Sequence, residues 1–124
     1  MAYAYIDTNI LTTLAQGTNA LDQLQENHPL LKPTILEGVI RELEALQETG
    51  TGAEKRAAQL AKSIITQQDL KTVSHSPSYV DDALLALATS EDAIVTLDKE
   101  LIKRARKQGL RVLTLANRRL RWVA

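Results

Sequence analysis

The chain has 124 residues, of which 44% are hydrophobic and 24% are charged, a size and composition typical of one globular domain. It contains no cysteine and two histidines, which excludes a disulfide scaffold, a cysteine nucleophile, a thiolate zinc site and a histidine-rich metal site. No apolar run approaches the roughly 20 residues of a membrane helix, and the N-terminus lacks the basic start and long apolar core of a signal peptide. We therefore expect one domain over residues 1–124, located in the cytoplasm, without a membrane anchor.

Positive and negative charges cancel in total but are segregated along the chain. Residues 1–98 carry 14 Asp or Glu and 6 Lys or Arg, whereas residues 99–124 carry one Glu and 9 Lys or Arg. The two parts therefore have net charges of −8 and +8. An acidic site beside a basic surface suits a polyanion held next to bound cations. The plainer alternative is a solvated terminal helix that is basic.

Strand and helix patterns alternate along the chain. In chain order, we predict a strand over 3–6, a helical segment over 10–24 that breaks at Gly17, a strand over 29–33, a helix over 36–47, a helix over 53–68, a strand over 70–74, a loop over 76–78, a helix over 80–89, a strand over 93–97, a helix over 99–107 and a strand over 111–115. The basic tail that follows belongs to none of these elements. This alternation predicts an α/β fold in three layers, with helices on both faces of a parallel sheet.

Carboxylates follow the predicted strands at the sheet edge where α/β folds bind ligands. Asp7 follows the first strand, Asp81 and Asp82 stand at the start of the helix after the third, and Asp98 follows the fourth. Glu42, on the helix after the second strand, can lean towards the same edge. Taken singly, Asp7, Asp81 and Asp98 are explained as helix caps, and Asp82 suits the first turn of a helix. Caps can equally be Ser, Thr or Asn, however, and all three strand exits carry Asp.

Converging carboxylates repel one another, and a bound divalent cation is the usual compensation. Oxygen ligands without His or Cys favour Mg²⁺ or Mn²⁺ over zinc. Such ions can activate a bound water for attack on a phosphodiester. The residues alone therefore predict a Mg²⁺ or Mn²⁺ site suited to phosphodiester hydrolysis.

Four blocks of the sequence resemble the motifs of the PIN-domain nucleases, in the order of that family. They are Tyr5–Leu11, Pro33–Thr34 with Val39–Leu43, Asp81–Ala88 and Ile94–Leu101. The resemblance covers nearly the whole chain. It implies a PIN-like fold whose sheet has about five strands in the order 3-2-1-4-5, and metal-dependent hydrolysis of single-stranded RNA.

The same resemblance implies roles for the acids. Asp7, Glu42 and Asp98 would be catalytic metal ligands, joined by either Asp82 or Asp81. The spacing Asp-Ala-x-Leu favours Asp82, as in toxin-like members. The Asp-Asp pair also resembles the ribosomal-RNA-processing branch, in which the first Asp is the ligand.

The resemblance also implies supporting residues, and the basic C-terminal segment indicates residues that bind the substrate. Asn9 and Thr96 would hold the carboxylates in position. The RNA backbone would be bound by basic side chains of the C-terminal segment, namely Lys103, Arg104, Arg106, Lys107, Arg118, Arg119 and Arg121. The implied partners are single-stranded RNA, an antitoxin or a ribosomal precursor, and a second copy of the chain in a homodimer. The alternative function is a catalytically silent module of the same fold that binds RNA or protein.

Overall fold

A six-stranded sheet forms the centre of the structure, a computed structural model that describes residues 1–75 and 79–123. The strands are β1 (Ala2–Ile6), β2 (Leu31–Leu36), β3 (Lys71–Val73), β4 (Ala93–Val95), β5 (Arg111–Ala116) and β6 (Arg119–Trp122). Their spatial order is β3-β2-β1-β4-β5-β6, in which the first five are parallel and β6 is antiparallel to β5. The predicted order 3-2-1-4-5 is confirmed, and one strand is added. The loop predicted over 76–78 lies outside the described residues.

Helices cover both faces of this sheet. They are α1 (Thr8–Thr12), α2 (Ala20–Asn27), α3 (Glu37–Thr49), α4 (Gly52–Gln67), α5 (Val80–Leu87) and α6 (Lys99–Lys107). Helices α1, α3 and α4 contact one another, and α5 contacts α6. Connections between parallel strands are right-handed in nearly all sheets, so crossovers to either side of β1 place these two groups on opposite faces, and the three-layer architecture is confirmed. None of the described helices is both long and apolar enough to cross a lipid bilayer.

Two breaks in the sequence separate the helices of the N-terminal half. Gly17 ends a short 3₁₀ turn with a φ of 84°, a left-handed conformation that glycine adopts without steric cost. Thr51 begins α4 with a capping box, in which its hydroxyl accepts from the N–H of Glu54 and the Glu54 carboxylate accepts from the N–H of Thr51. The predicted breaks at both places are confirmed.

The central strands hold the ends of β1 and β4 in fixed positions. Every residue of β4 is buried, and pairing continues past the strands. The N–H of Asp7 donates to the carbonyl of Val95 at 2.9 Å, and the N–H of Thr96 donates to the carbonyl of Leu113 at 3.1 Å. The residues that follow the two central strands are therefore part of the sheet's hydrogen-bonded frame.

The basic tail contains a strand that the sequence analysis did not predict. Asn117 and Arg118 have φ values of 51° and 65°, and they join β5 to β6 in a two-residue hairpin turn. Such turns need positive φ at both central residues and are usually signalled by Asn-Gly. Because Arg118 occupies the glycine position, the turn lacks its usual sequence signal.

A buried carboxylate ties the amino end of the sheet together. Asp92 is 4% exposed, and one of its oxygens accepts from the backbone N–H of Tyr3 at 2.8 Å. The other oxygen accepts from the N–H and the hydroxyl of Thr89, at 2.8 and 3.0 Å. Asp92 thereby links the turn before β4 to the start of β1.

We expect Asp92→Ala to lower the free energy of unfolding by about 1–3 kcal/mol, because it removes the buried acceptor of the N–H groups of Tyr3 and Thr89. Urea denaturation at neutral pH measures this loss. The matched control is Glu91→Ala at the exposed neighbour, which should stay within about 0.5 kcal/mol of the parent. Equal effects of the two substitutions would contradict a structural role for Asp92.

Candidate active site

Asp7 is the most buried of the predicted site acids. It follows β1 directly and is 5% exposed. One of its oxygens accepts from the N–H of Thr8 at 2.8 Å, which caps α1. The other accepts from the hydroxyl of Thr96 at 2.7 Å and from the side-chain amide of Asn9 at 3.3 Å. The sheet and these donors together fix the direction of the carboxylate.

Thr96 and Asn9 also connect Asp7 to the exit of β4. The Thr96 hydroxyl accepts from the N–H of Asp98 at 3.1 Å, and the Asn9 side-chain carbonyl accepts from the N–H of Leu97 at 3.1 Å. Both side chains therefore contact the segment that leads into α6 as well as Asp7. The structure places them where the sequence analysis expected supporting groups.

Asp98 caps α6 with one oxygen. Its Oδ1 accepts from the N–H of Glu100 at 2.9 Å and from the N–H of Leu101 at 3.2 Å. The carboxylate is partly exposed and contributes to the field at Asp7. Asp98 thus has both roles that the sequence left open: it is a helix cap, and it lies close to a second acid.

Glu42 reaches the same edge from α3. Its carboxylate accepts a short hydrogen bond from the hydroxyl of Thr8, which joins α3 to the start of α1. Thr8 was not among the predicted site residues, although it lies between the two other polar residues of the Asp-Thr-Asn run. The local sequence could have indicated the contact, since all three side chains belong to the first turn after β1.

The two neighbouring acids of α5 point in different directions. The field of Asp7 and Asp98 acts on Asp81, whereas Asp82 forms a 2.8 Å ion pair with Arg104 of α6. Successive residues of a helix project about 100° apart, so only one of the pair can face the acidic edge. That residue is Asp81.

Burial raises the pKa of Asp7, and the carboxylates of Glu42 and Asp98 raise it further. The hydrogen bonds that Asp7 accepts from Thr96 and Thr8 oppose this rise. Burial is also the main cause that raises the pKa of Asp81, followed by the negative charges of Asp7 and Asp98. Carboxylates from three strand exits therefore share one field.

The acids do not form a preformed metal-binding cluster. Within residues 1–75 and 79–123, no group of three or more His, Cys, Asp or Glu side chains is spaced to hold a metal ion. The set nevertheless contains only oxygen donors, and burial together with neighbouring negative charges raises the pKa of Asp7 and Asp81. A hard cation such as Mg²⁺ or Mn²⁺ fits that donor chemistry.

The seven basic residues predicted to bind RNA are all exposed but lie in three places. Lys103, Arg106 and Lys107 line a shallow groove on α6. Arg104 is held in the ion pair with Asp82. The remaining three belong to the β5–β6 hairpin, and they are Arg118, Arg119 and Arg121.

We expect metal-free Asp81→Asn to be more stable than the parent at pH 7, because the substitution removes a repelled carboxylate. The pKa of Asp81 in the folded protein is raised above its ordinary value of 3.8. The folded parent therefore loses stability as the pH rises from 3.8 through this raised pKa. The difference should vanish below pH 3.8 and stay within about 1 kcal/mol at pH 7, because the side chain is partly exposed. Urea denaturation across this pH range measures it.

Asp82→Asn is the matched control for that experiment. It breaks an ion pair whose two side chains are both 46% exposed, so it should leave the stability unchanged or lower it slightly. A stabilisation by Asp82→Asn as large as that by Asp81→Asn would contradict the different surroundings of the two acids.

The fold agrees with comparisons to known proteins. The chain is similar to the solved structure described as "Structure of the PIN domain endonuclease Utp24", at 27% identity and a TM-score of 0.76, over 97% of this chain and 90% of that chain. A domain of a functionally unknown protein from Methanocaldococcus jannaschii DSM 2661 shares the fold at 16% identity and a TM-score of 0.55, over 94% of this chain and 92% of that chain. No curated protein matches the chain.

A family model decides the assignment of the chain. The model described as "PIN like domain" matches residues 4–118, which include most of β1 and all of β2 to β5 but not β6. All five acids at or beside the carboxyl edge fall inside this match. The chain therefore belongs to the PIN-like domain family.

Proposed function

We propose that this chain is a metal-dependent endoribonuclease that hydrolyses phosphodiester bonds of single-stranded RNA. The observation that carries the proposal is the shared field of Asp7, Asp81 and Asp98, which come from three different strand exits. Helix caps alone would not need to lie within one another's field. The similarity to a solved PIN domain endonuclease supports nuclease activity as the general class.

Mg²⁺ or Mn²⁺, when bound, would supply an activated water and neutralise charge on the phosphoryl oxygens. Asp7, Asp98 and Asp81 are the residues proposed to hold the ion, and Glu42 is proposed to complete the set. Asp7 is fixed by the sheet. Asp81 and Asp98 are partly exposed, so their side chains can turn towards an ion that enters from solvent.

The supporting residues have a defined task in this proposal. Thr96 donates to Asp7 and accepts from the N–H of Asp98, so one hydroxyl sets the position of two acids. Asn9 donates to Asp7 and accepts from the N–H of Leu97, so it ties Asp7 to the segment that precedes Asp98. They keep the carboxylates at the edge although the negative charges repel one another.

Asp82, which the sequence favoured as a metal ligand, is proposed to have a structural role instead. Its ion pair with Arg104 supports a role in holding α6 against α5, whereas Asp81 lies in the field of the other acids. We therefore assign the metal role to Asp81. The antitoxin, the ribosomal precursor and the homodimer remain predictions from the sequence resemblance.

We expect the parent protein to cut a labelled single-stranded RNA in Mn²⁺ or Mg²⁺ and not in EDTA. Asp7→Asn, Asp81→Asn and Asp98→Asn should each lower the rate by roughly 100-fold or more, because a metal ligand contributes several kcal/mol to the transition state. Single-turnover kinetics measure the rates.

Asp82→Asn is the control that distinguishes the two neighbouring acids, and it should retain the rate within about a factor of five. Loss of cleavage in Asp82→Asn but not in Asp81→Asn would exchange their roles. A folded parent that binds RNA but neither cuts it nor binds Mn²⁺ would contradict the nuclease proposal and favour the silent RNA-binding module.

Thr96→Val tests the positioning of the acids. Valine fills nearly the same volume but provides no donor for Asp7 and no acceptor for the N–H of Asp98. We expect Mn²⁺ affinity to fall by about 10- to 100-fold, as is usual when a group that orients metal ligands is removed. Titration calorimetry with Mn²⁺ measures the affinity, and Thr96→Ser should restore most of it.

A further inference from the structure

A basic groove runs along the outer face of α6 and begins beside the acidic edge. Lys99, Lys103 and Arg106 are spaced four and three residues apart, so they lie on one face of the helix. Together with Ile102 and Lys107 they line a shallow groove of about 510 Å³. Lys99 directly follows Asp98, so this α6 groove starts at the proposed site.

A second groove lies at the opposite end of α6. It has a volume of about 520 Å³, and its lining residues are Arg106, Gly109, Leu110, Arg111, Val112, Trp122 and Val123. Arg106 lines both grooves. The α6 groove and this Trp122 groove therefore meet at one side chain.

The Trp122 groove presents an aromatic ring and a fixed cation. The guanidinium carbon of Arg111 lies 4.8 Å from the centre of the Trp122 ring, and its nitrogens donate to the backbone carbonyls of Asp92 and Glu91. Trp122 is 39% exposed, although the ring of His28 also packs against it edge-on with the ring centres 5.2 Å apart. Aromatic rings and arginine planes are the surfaces on which unpaired bases stack.

The charges of the two grooves indicate a polyanionic occupant. None of the residues that line either groove in the described chain is acidic, and five of them are Lys or Arg, namely Lys99, Lys103, Arg106, Lys107 and Arg111. This is the basic end of a sequence whose first 98 residues carry a net charge of −8. Cations in a row with an aromatic ring at the end match a phosphate backbone that carries a base.

We propose that the α6 groove and the Trp122 groove form one path for single-stranded RNA, which leaves the acidic edge along α6 and places a base in the Trp122 groove. The proposal rests on the proposed function, since the strand in the path is the substrate. Asp98 and Arg106 are eight residues apart, or about 12 Å of helix. That distance corresponds to roughly four nucleotides at a stacked rise of about 3.4 Å.

The test uses the intrinsic fluorescence of Trp122, which is the only tryptophan in the sequence. A single-stranded oligouridylate of about ten nucleotides, added in EDTA so that no cleavage occurs, should quench the fluorescence in a saturable manner. An oligoglutamate of similar charge should not quench it, because it has no base to stack.

Arg106→Gln should weaken RNA binding by about fivefold or more and lower the slope of log affinity against log salt by about 0.7, the value for one lost phosphate contact. The matched control is Lys32→Gln, which removes an exposed lysine on β2 and should change neither quantity. A salt slope that is equal in the two variants would overturn the path along α6.

Substitutions of Trp122 test the stacking step with labelled RNA instead of intrinsic fluorescence. Trp122→Leu should weaken binding by about tenfold, whereas Trp122→Phe should keep most of the affinity. Circular dichroism checks that both variants are folded, because Trp122 lies on an edge strand. Equal affinity of the Leu and Phe variants would overturn the stacking step.

Cleavage in Mn²⁺ separates failure of this path from failure of the proposed function. If the parent cuts RNA, but Trp122 fluorescence and Arg106→Gln show no response, the path is overturned and the nuclease proposal stands. If RNA quenches Trp122 and the parent does not cut in Mn²⁺, the path stands and the nuclease proposal fails.

Discussion

The burial of Asp7 at the end of the central strand is the constraint on which the acidic site depends. A charged carboxylate that is taken out of water has an unfavourable energy unless donors or a cation compensate it. The backbone of Thr8 and the side chains of Thr96 and Asn9 supply part of this compensation. Burial and the nearby carboxylates of Glu42 and Asp98 still raise the pKa of Asp7 despite these bonds, so the charged form is disfavoured unless a cation is bound.

The features that depend on local sequence could be predicted. Short apolar runs and helical spacing gave the five parallel strands, their order came from the family resemblance, and the acids at the strand exits follow from residue identity. The sixth strand could not be predicted in the same way. Its turn holds Arg118 at a φ of 65°, which is unfavourable for arginine. The β5–β6 hydrogen bonds that stabilise this conformation are known only from the folded sheet.

Side-chain direction is the other property that the sequence left open. Whether Asp81 or Asp82 faces the acidic edge depends on the rotation of α5, which is set by the packing of Val80, Leu84 and their neighbours in the core. The buried role of Asp92 is hidden for a similar reason. Its partner Tyr3 lies 89 residues away in sequence, so nothing near Asp92 indicates the contact.

Helix α6 joins the two oppositely charged parts of the chain. Its first N–H groups bind the carboxylate of Asp98, and the positive end of its dipole favours that negative charge. Its outer face then carries lysines and arginines away from the acidic edge. Because one helix holds both sets of groups, the distance from the acidic edge to the basic side chains is fixed by helix length. Contacts to phosphates do not read base sequence. Binding along α6 would therefore discriminate between strands by their length and by the absence of base pairing.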